Sequence, residues 1–89
     1  MTEMPFIPEF REYRERNKWI VDHADYFTVI QRKHRTYLRD ECKTFDEADA
    51  LAKQKLKREP DARFLIYAVA GTHDTLAATV SSSGIVRHE

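Results

Sequence analysis

Thr44-Phe45-Asp46-Glu47 is the segment that most restricts what this chain can fold into. It has the form of a capping box, in which the threonine hydroxyl accepts from the amide three residues on. The glutamate reaches back toward the threonine amide. Behind it, Ala48, Leu51, Ala52 and Leu56 recur at spacings of three and four, which draws one buried stripe along a helix. Acidic residues crowd the first turn, and Lys53, Lys55, Lys57 and Arg58 fill the later ones, as the helix dipole favours. Glu59-Pro60-Asp61 ends the pattern. The spacing predicts a helix over 45–59.

Runs of strand character lie on both sides of this helix. Tyr26 to Arg32 (YFTVIQR) and Thr36 to Lys43 (TYLRDECK) flank a polar tip at Lys33-His34-Arg35 and read as a hairpin. In the second run Leu38 and Cys42 alternate against Tyr37, Arg39, Glu41 and Lys43. Arg63 to Ala70 (RFLIYAVA) reads as a strand buried on at least one face, and Gly71 to Asp74 as a turn. Thr75 to Val80 then runs back, with Leu76, Ala78 and Val80 alternating against Thr75, Ala77 and Thr79. Ser81 to Gly84 breaks the chain, leaving Ile85 and Val86 as a short last strand or as packing only.

Residues 1–7 read as a loose tail, and Pro8 suits the first turn of a helix reaching about residue 23. Phe10, Tyr13, Asn17, Ile20, Val21 and Ala24 form its apolar face, although Trp19-Ile20-Val21 would also serve as a strand. The expected fold is therefore α+β: an N-terminal helix, then β-β-α-β-β, as a single domain over 8–89. The sheet is expected to be four-stranded and mostly antiparallel, in the order 2-1-3-4, with the second helix on one face. The N-terminal helix is expected to cover the other face. Left open, that face would present Tyr37, Arg39 and Tyr67 to single-stranded bases or to a protein.

A chain of 89 residues has room for one core. Its longest apolar run, Phe64 to Ala70, is too short to cross a bilayer, so no membrane partner is expected. The start MTEMPF lacks a basic region and an apolar stretch, which makes a reducing cytoplasm the expected location. With a single cysteine, no internal disulfide or cysteine-rich zinc site can form. His23, His34, His73, His88 and Cys42 show no close ligand spacing, and two glycines cannot build a phosphate-binding loop. Cys42 lies on the Leu38 side of its strand, as a small buried thiol would. Thr72-His73-Asp74 and Ser81 to Ser83 lack the context of an activated nucleophile. The expectation is a protein that is not an enzyme and carries no cofactor or metal.

Fifteen Lys and Arg balance fifteen Asp and Glu, yet the charges are segregated. Arg32, Lys33, Arg35 and Arg39 form a basic hairpin with Tyr37 among them, a pattern suited to phosphates and stacked bases or to an anionic partner. Asp40, Glu41, Asp46, Glu47 and Asp49 form an acidic stretch suited to a basic partner. A hairpin followed by Lys43-Thr44-Phe45-Asp46-Glu47-Ala48-Asp49-Ala50-Leu51 resembles, over residues 19–56, the small arm-site DNA-binding domains of phage tyrosine integrases. That resemblance implies a three-stranded sheet with a helix and DNA contact. The chain departs from the family in lacking a glycine at the hairpin tip and in adding strands after the helix.

The expected function is a small protein-binding module, of an adaptor or inhibitor type such as phage and mobile elements encode, acting through its charged patches. The alternative is nucleic-acid binding by the hairpin 31–39. A sheet edge at the C-terminal hairpin is a further expected route to a homodimer.

Overall fold

In a computed structural model, residues 13–33 and 36–88 are described. The expected tail over 1–7, the helix start over 8–12 and the hairpin tip at His34 and Arg35 lie outside them. The elements run α1 (Tyr13–Asp22), β1 (Tyr26–Lys33), β2 (Thr36–Cys42), α2 (Phe45–Arg58), β3 (Phe64–Ala70), β4 (His73–Ser81) and β5 (Gly84–Arg87). The strands form one sheet in the order β2-β1-β3-β4-β5. Every pairing in it is antiparallel. This is the expected α+β fold and strand order, with a fifth strand added at the edge by Ile85 and Val86. Trp19-Ile20-Val21 is helical, so the three-stranded sheet implied by the integrase resemblance does not form ahead of α2. No described helix is long and apolar enough to cross a membrane.

The capping box holds α2 as the sequence implies, with one shift. The Glu47 amide donates to Thr44 Oγ1 at 3.1 Å. The Glu47 carboxylate, however, accepts from the amide of Lys43 at 3.0 Å, one residue before the expected donor. The amide of Glu59 donates to Lys55 O and closes the last turn. Thr44→Ala removes the acceptor at the first turn, and we expect a loss of about 1 kcal/mol in chemical unfolding. Thr44→Ser, which keeps the hydroxyl, should recover most of it.

One face of the sheet carries the core. In β3, Phe64, Ile66, Ala68 and Ala70 are fully buried, while Leu65, Tyr67 and Val69 between them are half-buried. Register sets Phe27, Val29 and Gln31 of β1 opposite Ala68, Ile66 and Phe64. Ala48 and Ala52 of α2 and Ile20 of α1 all belong to this same core. The two helices thus share one face, which overturns the expectation that the first helix covers the second. The physical reason lies in β3 and β4, the strands α1 contacts. Ala68, Ala70, Ala77 and Ala78 present only methyl groups, so a helix approaches closely enough to bury Ile20 completely.

A bulge in β4 changes its expected alternation. Ile66 pairs with Ala78 but Tyr67 pairs with Leu76, leaving Ala77 as an extra residue. Ala77 and Ala78 are both buried as a result. Leu76 joins Tyr67 on the side away from the helices, and not Ala78 and Val80 as strict alternation requires. The β3–β4 turn is set by Gly71 at φ +62, a left-handed conformation natural to glycine in two-residue hairpin turns. Its amide donates to the Asp25 carboxylate at 2.9 Å, while the Asp25 amide donates to Val69 O. The start of β1 is thereby tied to the end of β3.

Candidate binding face

With both helices on one side, no described element covers the other side of the sheet. Register arranges that face in rows across the strands. Tyr26, Val69 and Asp74 make one row, and Glu41, Thr28, Tyr67 and Leu76 the next. Arg39, Ile30, Leu65, Thr79 and Val86 make a third. A groove of about 560 Å³ runs along it, lined by Tyr26, Ile30, Arg39, Leu65, Tyr67 and Asp74 among others. Thr28 is buried at its centre, whereas Arg39, Glu41 and Asp74 are exposed at its margins. Val86, 59% exposed on the outermost strand, extends the apolar surface to the sheet edge. Tyr26 and Tyr67 are diagonal neighbours on adjacent strands, within reach of one ligand.

Of the expected basic residues, Arg39 is the one whose side chain is described. In the backbone ladder Arg32 pairs with Tyr37 and Arg39 with Ile30; the Arg39 side chain lines the groove. Lys33 pairs with Thr36. Arg35 lies outside the described residues. Arg39 and Tyr67, expected on one face from strand alternation, both line this groove.

The acidic stretch is dispersed instead of gathered. Asp40 pairs with Lys55 on the helix side, while Glu41 alternates to the open face. Glu47 is engaged in the capping box, and Asp49 forms a salt bridge with Lys53 at 2.8 Å. Asp46 is exposed in the first turn of α2. Glu41 is set apart from Asp40 by strand alternation, and Asp40, Glu47 and Asp49 are each engaged by a local partner.

Among the described residues, no group of three His, Cys, Asp or Glu side chains lies close enough to hold a metal ion. His23 stacks on Trp19 with ring centroids 4.3 Å apart, and His88 hydrogen-bonds the Thr79 hydroxyl at 2.9 Å. His73 pairs with Ala70 and Asp74 with Val69, so the neighbouring His-Asp pair alternates to opposite sides of the sheet. The pKa of Cys42 is raised above its ordinary value, first by desolvation and then by Glu47 and Asp40, against an opposing pull from Lys55. Its sulfur remains a thiol at neutral pH.

Scans against protein-family models, curated proteins and solved structures returned no match. The open face was the less obvious feature in sequence. Its signal was the run Leu65, Tyr67, Val69 alternating with Phe64, Ile66, Ala68 in a strand too apolar to say which side stays uncovered. Leu76 was missed because the bulge leaves no glycine or proline to mark it.

Proposed function

We propose that this chain is a non-enzymatic binding module that takes a protein partner on the open face of its sheet. The observation behind this reading is the placement of α1 beside α2, which leaves Tyr26, Ile30, Leu65, Tyr67 and Val69 without a covering element among the described residues. Large side chains of this kind supply most of the binding energy at protein interfaces, with charged groups at the rim. Arg39, Glu41 and Asp74 occupy that rim position and mix both signs, which suits a polypeptide better than a run of phosphates.

The test is affinity capture with the intact protein after nuclease treatment, comparing the wild type with Tyr67→Asp and with Lys57→Glu on the solvent side of α2. A protein retained by wild type and Lys57→Glu but lost with Tyr67→Asp is the expected result. Retention by all three proteins, or loss on nuclease treatment, overturns the reading.

A second reading, single-stranded nucleic acid, draws on Arg39 lining the groove with Tyr26 and Tyr67, at the end of the basic run 31–39. It expects oligonucleotide binding that weakens with salt at a logarithmic slope of roughly −3 for four phosphate contacts, and that is lost on replacing Arg32, Lys33 and Arg35 by Ala. No binding at low salt sinks it.

A further inference from the structure

We propose that the partner on the open face is a second copy of this chain, stacked sheet against sheet about a two-fold axis. The inference rests on the protein-binding reading and names the partner. It starts from the positions of the exposed charges Arg39 and Asp74 at opposite corners of the face. Arg39 on β2 is level with Ile30 and Leu65; Asp74 on β4 is level with Tyr26 and Val69. Three strand spacings separate them in one direction, about 14 Å, and four residues in the other, about 13 Å. Neither side chain makes a salt bridge with another described residue.

A two-fold axis in the plane of the face, at right angles to the Arg39–Asp74 diagonal, lays Arg39 of each copy over Asp74 of the other. Because the two legs of the diagonal are nearly equal, the strands of the two sheets cross at about 90°, one of the two stable ways for sheets to stack. The same operation sets Leu76 of each copy over Ile30 and Leu65 of the other, and Tyr26 over Glu41, where the phenol can donate to the carboxylate. Charge, apolar surface and hydrogen bonding are satisfied together by one rotation, as a self-complementary interface requires. The bulge in β4 contributes directly, since it delivers Leu76 to this side.

The test is analytical ultracentrifugation across a concentration series. Wild type should pass from monomer to dimer. Arg39→Asp sets a new carboxylate against Asp74 twice per dimer, and Asp74→Arg sets two guanidinium groups against each other twice. Each variant should weaken dimerisation about tenfold or more while leaving the far-UV circular dichroism unchanged. An equimolar mixture of the two makes both contacts of the mixed dimer opposite in charge, one of them native and one reversed, so it should dimerise more tightly than either variant alone; the doubly substituted chain, with both contacts restored in reverse, should dimerise with near wild-type affinity by itself. A wild type that stays monomeric while Tyr67-dependent capture of another protein persists overturns the second-copy proposal and leaves the binding reading standing. A dimer indifferent to both substitutions, as pairing through the β5 edge would give, overturns it too, as does a doubly substituted chain no better than the single variants.

Discussion

Phe64→Ala should lower the unfolding free energy by about 3–5 kcal/mol, the range for removing a buried aromatic ring. Phe64 is the largest fully buried side chain among the described residues and begins the inward-facing set of the central strand. Its register partners are Gln31 on β1 and Val80 on β4, so its ring stands between neighbours from both sides. Both partners are themselves buried, and backbone pairing holds them at fixed separation, leaving the cavity little means of collapsing. A domain of this length is stable by about 5–13 kcal/mol. One substitution at Phe64 therefore removes a large fraction of the total. Urea unfolding reads the effect as a lower midpoint at an unchanged slope. A loss under about 1 kcal/mol would show that β3 is not the centre of the core.

The same strand shows how far the sequence could be read. Capping and period defined α2, because Thr44, Glu47 and the Ala48–Leu51–Ala52–Leu56 spacing are local signals that tertiary contacts only reinforce. The β1–β2 and β3–β4 pairings followed from short connections, which favour antiparallel pairing of consecutive runs, whereas the β1–β3 pairing across α2 has no such local signal. What escaped were choices made between elements. Either face of the sheet could have received the apolar stripe of α1. The deciding feature was a patch of four alanines on β3 and β4, whose common face emerges only once register and bulge are known. The acidic stretch looked contiguous for the opposite reason. Neighbours in sequence such as Asp40 and Glu41 diverge by half a turn in a strand, and Glu47 is drawn away by its cap.

The placement of α1 carries the functional argument, and a pair of isoleucines checks it. Ile20→Ala should cost about 2–5 kcal/mol, since Ile20 is fully buried among the core residues beneath both helices. Alanine's better helix propensity returns only a few tenths of that. Ile30→Thr, by contrast, should cost less than about 1 kcal/mol, because Ile30 is half-buried in the groove and threonine preserves the β-branched shape. If α1 instead covered the groove face, Ile30 would sit beneath a helix and the two costs would approach each other or reverse. The predicted order also separates stability from binding. Ile20→Ala weakens partner binding only as far as it unfolds the chain, while Ile30→Thr leaves the chain folded and removes apolar contact from the face itself. Measuring unfolding midpoint and dimer affinity on the same two variants should therefore place them at opposite corners of a single plot. A shared loss of both properties in Ile30→Thr would tie the groove to the core and remove the open face as a binding surface.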